Sequence, residues 1–232
     1  MIFMNRNIRL IGILAMVLLV ATVQMAGATG AQSWHLLDTK HTVLFSDDPN
    51  RYKDLFMNKT GNATGTSMSL PNMTEKTTWW YAESPAQFDG LTFGEGNWTV
   101  NLSHGPTNGC TIWANVCKVN DIIGEVTYLA NGSTAPSSSS RVDTITCYDN
   151  PDTDQVFNTT DRLALRIYHN RTGTTTTLQI YYYKTSRHSR LTSPDSDPGY
   201  PVPELPTIIL TTTGILVLAG YASLRRSRKT DK

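Results

Sequence analysis

From His35 to Tyr183, apolar residues recur at every second position in short runs, and the runs are broken by Gly, Pro, Asn, Asp and Ser. A period of two sends successive side chains to opposite faces of an extended strand. No interval carries the three-to-four spacing of an amphipathic helix. Strands are expected over 35–45, 77–82, 91–103, 110–119, 125–129, 142–148, 163–168 and 178–183. In the seventh run Leu163, Leu165 and Ile167 alternate with Ala164, Arg166 and Tyr168. Seven or eight short strands at this spacing predict an all-β domain, a β-sandwich or jelly roll, over residues 32–184. Charged residues make up 17 % of the chain, a composition that favours strands and polar turns over surface helices.

The two ends read differently. Arg6 and Arg9 precede an uncharged apolar run from Leu10 to Ala21, and small residues follow at Ala26, Gly27, Ala28 and Ala31. A basic start, an apolar helix and a small-residue cleavage site predict a signal peptide over residues 1–31, cut by signal peptidase after Ala28 or after Ala31. Residues 185–206 are polar and Pro-rich and read as an extended stalk, because proline fixes φ and removes a donor. Residues 207–224 hold no charge and are long enough to cross a bilayer core of about 30 Å as a helix. The basic tail 225–232 then predicts a cytoplasmic end, with the β domain outside the membrane.

Pro203, Glu204, Leu205 and Pro206 stand immediately before that apolar span and the Arg225-Arg226-Ser227-Arg228-Lys229 cluster. This arrangement resembles the tripartite C-terminal sorting signal of archaeal, methanogen-type surface proteins, in which a Pro-Glu-Phe-Pro-type motif precedes the span. Leu205 stands where Phe is usual. The resemblance implies processing by an archaeosortase, a membrane cysteine transpeptidase that removes the tail.

N-x-S/T sequons lie at Asn58, Asn62, Asn72, Asn97, Asn101, Asn131, Asn158 and Asn170, so eight of the fifteen asparagines are candidate glycan acceptors. In the run 97–103, Trp98, Val100 and Leu102 share one strand face, which puts Asn97 and Asn101 on the solvent side.

The chemistry-bearing residues are sparse. Cys110, Cys117 and Cys147 allow one bridge, Cys117–Cys147 or Cys110–Cys147, since Cys110 and Cys117 are seven apart in one expected strand and point to opposite faces. Asp149, Asp152 and Asp154 are hard oxygen ligands that suit Ca²⁺, but the loop lacks the Gly and distal Glu of an EF-hand and reads better as a solvated turn. No other metal set and no cofactor motif is expected. Trp79, Trp80 and Tyr81 are adjacent, so at least one ring faces away from the core, and exposed rings stack on sugars or form interfaces. The same holds for Tyr181, Tyr182 and Tyr183. The five histidines match no motif, and there is no G-x-S-x-G, H-E-x-x-H or P-loop. Lys+Arg 20 against Asp+Glu 19 leaves no basic excess for nucleic acid. These features predict a non-catalytic, exported surface glycoprotein with a structural or adhesive role, in contact with the membrane and with surface-layer or glycan partners. The alternative is an extracellular carbohydrate- or Ca²⁺-binding module, and a secreted hydrolase stands behind both.

Overall fold

The computed structural model of the protein describes residues 30–42, 51–61, 67–70, 76–107, 110–135, 141–151, 155–170, 177–182 and 188–200. The alternation is realised there as strands: β1 (Ser33–Lys40), β2 (Arg51–Asn58), β3 (Met68–Leu70), β4 (Thr77–Ala82), β5 (Leu91–Thr92), β6 (Trp98–His104), β7 (Ile112–Asn120), β8 (Val126–Thr134), β9 (Arg141–Asp149), β10 (Val156–Phe157), β11 (Asp161–His169), β12 (Leu178–Ile180) and β13 (Arg190–Thr192). Among the described residues there is no helix, and hence none long and apolar enough to cross a membrane.

Nine strands close into a barrel in the order β13-β1-β2-β4-β11-β7-β8-β9-β6, with β6 returning to β13. This overturns the expected β-sandwich or jelly roll. A sandwich stacks two sheets whose edges stay unpaired, whereas a barrel has no edge. Here Leu191 of β13 lies opposite Trp34 of β1 on one side and opposite Val100 of β6 on the other. The closing strand sits inside the segment 185–206 that reads as a stalk. Arg190–Thr192 are therefore part of the barrel, Tyr200 packs at its end, and residues 201–206 lie outside the described residues. Strands β12 and β3 extend from β6 as a flap, and β5 pairs with β10 as a separate ribbon. The β2–β4 pair is parallel, and the other pairs are antiparallel.

The inward faces follow the pattern read from the chain. Trp98, Val100 and Leu102 of β6, Ile112, Ala114 and Val116 of β7, and Leu163, Leu165 and Ile167 of β11 are all fully buried. Each large apolar side chain so buried contributes about 1.5–3 kcal/mol. β2 escapes a sequence reading because its first half, Arg51-Tyr52-Lys53-Asp54, is polar and only Leu55 and Met57 turn inward.

Both described chain ends sit at one end of the barrel, here termed the entry end. Ser33 at the start of β1 pairs with Thr192 at the end of β13. Asn58, Ala82 and Asn120 end β2, β4 and β7 there, and Asp161 starts β11 opposite Asn120. Aromatic rings plug this end. Tyr200 packs against Trp34 (6.3 Å between centroids), Phe157 (5.4 Å) and Phe93 (5.9 Å), and Phe93 packs against Trp98 at 4.9 Å. The Tyr200 hydroxyl donates to the Ser84 carbonyl at 2.9 Å and accepts the Leu163 N–H at 3.0 Å. Asp197 sets up the approach, its Oδ1 accepting the N–H groups of Gly199 (2.7 Å) and Tyr200 (3.1 Å).

Candidate functional site

Strands β4, β11, β7, β8 and β9 are neighbours around the barrel, and their register lines up outward side chains in rows. One row runs Trp79, Arg166, Asn115, Asn131, Tyr148. A second holds Tyr168, Trp113 and Ser133, and a third holds Tyr81, Ala164, Cys117 and Tyr128. Tyr128 and Asn131 are three apart and would face opposite ways in a regular strand. A bulge at this point of β8 buries both Leu129 and Ala130, and so returns Asn131 to the outer face beside Tyr128.

Exposure rises along this wall. Trp79 and Tyr81 are buried, Trp113 and Tyr168 are half-buried, and Tyr128 and Tyr148 are 41 % and 65 % exposed. His41 covers Tyr81 at 4.9 Å and Phe56 at 4.5 Å. Burial, and then the Arg162 charge, lower the His41 pKa, so this cover is neutral imidazole near pH 7. The Arg51 guanidinium lies 5.1 Å above Trp79. Arg166 stands in the middle, 5.0 Å from the Tyr168 ring, 5.7 Å from Trp79 and 6.0 Å from Tyr128. Its Nη1 donates to the Tyr128 hydroxyl at 3.3 Å. One cation thus lies within cation–π reach of three rings.

The open part of the wall is a groove of about 660 Å³ lined by Trp113, Tyr128, Tyr148 and Tyr168 together with Asn115, Asn131, Gly132, Ser133, Thr144 and Thr146. The Trp113 and Tyr168 rings are parallel within 8° at 5.2 Å. Only glycine fits at position 132, because a Cβ there would lie 2.1 Å from the Thr146 carbonyl oxygen. That close approach of β8 to β9 brings Asn131 and Ser133 over the groove floor. Flat rings take the C–H faces of a ligand, and amides and hydroxyls take its polar edges. Among the described residues that line it there is no carboxylate or imidazole.

The residues singled out from the sequence are dispersed. Asn97, Asn131, Asn158 and Asn170 are exposed, and Asn58 and Asn101 are half-buried. The Asn58 amide is engaged twice, donating to Glu83 at 2.9 Å and accepting the Gly61 N–H at 2.8 Å. Asn101 accepts the Thr144 hydroxyl at 2.7 Å, and Asn170 accepts the Thr111 N–H at 2.7 Å. Asn62 and Asn72 lie outside the described residues. So do Asp152, Asp154, the motif Pro203–Glu204–Leu205–Pro206 and the two terminal apolar segments. Asp149 is half-buried and accepts the Gln155 amide. Among the described residues no group of three His, Cys, Asp or Glu side chains could hold a metal ion.

Cys110, Cys117 and Cys147 are buried thiols, and neither bridge considered from the sequence forms. Cys110 precedes β7 and does not lie in it, and it shares the interior cluster with Cys147. Cys117 faces the other side of the wall with Trp79 and Tyr81. Burial pushes the Cys147 thiol up to about 12 and raises Cys117 too, which leaves both unreactive.

Of the adjacent triplet, Trp80 points inward and donates to the Leu37 carbonyl at 3.1 Å, while Trp79 and Tyr81 point outward under cover. Tyr182 is buried, Tyr181 is half-buried and Tyr183 lies outside the described residues. The accessible aromatics of this wall are instead Trp113, Tyr128, Tyr148 and Tyr168, and Tyr52 and Phe88 are exposed elsewhere. Each occupies an outward position in its own strand, a signal present in the alternation. His104 is buried, with Nε2 at 2.8 Å from Asp143 and Nδ1 at 2.6 Å from the Gly105 carbonyl. Both of its ring nitrogens are engaged in structural bonds.

No family model matches the chain, and no curated protein matches it. Among solved structures, an aminopeptidase from a marine sediment archaeon (Thaumarchaeota archaeon) aligns over 51 % of this chain at TM-score 0.39 and 9 % identity, and the alignment spans 25 % of that protein. The Eiger TNF of S. frugiperda aligns over 76 % of this chain and 99 % of its own, at TM-score 0.36 and 10 % identity. The CBM22-1–GH10 modules of endo-1,4-β-D-xylanase 10B from Clostridium thermocellum align over 72 % of this chain and 27 % of their own, at TM-score 0.33 and 15 % identity. At these scores the likenesses carry no argument about fold or activity.

Proposed function

We propose that the protein is a non-catalytic surface adhesin, exported and membrane-anchored, whose barrel binds saccharide chains along its outer wall. The observation that carries this reading is the groove: parallel Trp113 and Tyr168 rings beside open Tyr128 and Tyr148, with five amide or hydroxyl side chains in reach. Pyranose rings present apolar C–H faces flanked by hydroxyls, and such a surface matches both halves. A lining with no carboxylate pair among its described residues favours binding over hydrolysis. The signal peptide, the uncharged span 207–224 and the sorting-signal resemblance support the address. Signal peptidase, and an archaeosortase acting at Pro203–Pro206, are the proposed processing enzymes.

The test is binding of the purified protein to soluble polysaccharides, followed by titration with Trp113→Ala and Tyr148→Ala. Loss of a stacking ring at the centre of a site costs about 2 kcal/mol, roughly thirtyfold in affinity. A protein that binds no polysaccharide, or variants that bind as well as the parent, would sink the reading.

A further inference from the structure

The entry end of the barrel carries exposed apolar side chains at its loop tips. Phe88, in the loop after β4, is 56 % exposed, and Ile122 and Ile123, at the β7–β8 turn, are 60 % and 61 % exposed. Adjacent isoleucines at an open hairpin tip are unfavourable in water, where turns are ordinarily polar. The two loops are tied to the same framework. Arg162 holds both Asp121 carboxylate oxygens and donates to the Ala82 carbonyl at 2.6 Å. Asp121 N–H donates to the Thr160 carbonyl, and Thr159 N–H donates to Asp89.

The β7–β8 tip is also internally satisfied. The N–H groups of Ile122 and Ile123 donate to the Asn120 side chain at 3.0 and 3.1 Å. Gly124, at φ 73°, donates to the Asn120 carbonyl at 2.9 Å. The Asp121 charge is met by Arg162. A hairpin tip with its N–H groups paired and its acid neutralised enters an apolar phase without orphaned donors.

The chain leaves the barrel at this same end. Tyr200 is bonded to Ser84 and Leu163, and only residues 201–206 separate it from the uncharged stretch that begins at Thr207. Six residues span at most about 20 Å. We infer that the barrel rests on the bilayer by its entry end, with Phe88, Ile122 and Ile123 inserted at the headgroup level. The occupant of this apolar rim is the lipid surface itself, held within reach by the short tether. The inference rests on the membrane-anchored reading of residues 207–224. It also requires Asn97 and Asn158, which open at the same end, to be bare, since a glycan there would hold the rim off the surface.

The experiment uses the full chain reconstituted in phosphatidylcholine vesicles, with an environment-sensitive fluorophore on Ile123→Cys. The native thiols are buried, so the folded parent serves as the labelling blank. The expected result is a blue-shifted label quenched by doxyl lipids, while the same label on Ala135→Cys, at the far end of β8, stays unquenched. A label on Gln87→Cys is expected to lose its quenching when Phe88, Ile122 and Ile123 are all changed to Ser. A chain that floats with the vesicles but leaves the Ile123 label unquenched overturns the docking and leaves the anchor standing. A chain that does not float removes the anchor, and the docking with it. A label shift in detergent that grows with protein concentration, without lipid quenching, assigns the rim to a second copy and overturns the proposal. A glycan mapped on Asn97 or Asn158 in native protein does the same.

Discussion

The inner and outer faces of the β4–β11–β7–β8 wall come from the same strands and are built on opposite rules. Inside, Trp80, Leu163, Leu165, Ala114 and Val116 fill space and make few polar bonds. Outside, rings alternate with Arg166, Asn115 and Asn131, and exposure climbs from Trp79 to Tyr148. An aromatic ring in the interior is spent on packing and on bonds within the fold, as Trp80 is on the Leu37 carbonyl. On the outer wall Trp79 and Tyr81 are covered, while Tyr128 and Tyr148 stay open to solvent. Residue type therefore does not separate stability from recognition in this barrel, but side and position along the row do.

Four substitutions sharpen or break that contrast. The largest expected effect is Tyr200→Ala, which empties the aromatic plug and orphans the Leu163 N–H; it should lower unfolding free energy by about 3–5 kcal/mol in denaturant titration, with no specific change in saccharide affinity of the folded fraction. Next is Gly132→Ala, where the Cβ meets the Thr146 carbonyl. Overpacking of this kind costs about 1–3 kcal/mol. Because Asn131 and Ser133 shift with it, this is the one change expected to reduce both denaturation midpoint and polysaccharide binding.

Asp197→Asn acts through pH. Burial raises the Asp197 pKa, although the bonds from Ser193, Gly199 and Tyr200 pull against it. A carboxyl whose folded pKa is raised contributes stability that is fully present below the ordinary carboxylate value of about 4 and is lost as pH rises through the folded value. The parent should therefore lose stability on going from acid toward neutral pH, and Asp197→Asn should flatten that part of the profile of denaturation midpoint against pH. The smallest structural effect belongs to Tyr148→Ala, expected to change stability by less than about 0.5 kcal/mol while weakening polysaccharide binding. If it destabilises the fold as Tyr200→Ala does, the two faces are not energetically distinct.

The sequence shows which residues face inward and much less about what they face. Trp98, Val100, Leu102, Leu163, Leu165 and Ile167 are legible from period two alone, because alternation specifies the side of a strand. It does not specify the strand's neighbour, and a sandwich and a barrel share the same alternation. The deciding element, Arg190–Thr192, is three residues long and lies in a Ser- and Pro-rich stretch that resembles a linker. The groove was half-legible in the same way. Tyr168 and Trp113 are readable as outward positions, but only register sets them opposite each other. The bulge at Leu129–Ala130 hides the pairing of Tyr128 with Asn131, since it breaks the parity from which a reader would infer facing. Trp79-Trp80-Tyr81 reads as a triplet with an open ring, yet His41 and Arg51 come from elsewhere in the chain to cover its outer rings.

The double pairing of β13 also has a consequence in time. Ser33 and Thr192, whose hydroxyls meet at 3.0 Å, are 159 residues apart. No nascent chain shorter than this can close the ring, so β1 and β6 emerge as open edges and stay open until almost the whole domain has been made. Late, long-range closure slows folding and leaves unpaired strands available to other chains meanwhile. A truncation before Arg190 should therefore yield a chain that associates through its two exposed edges, even though every other strand is present.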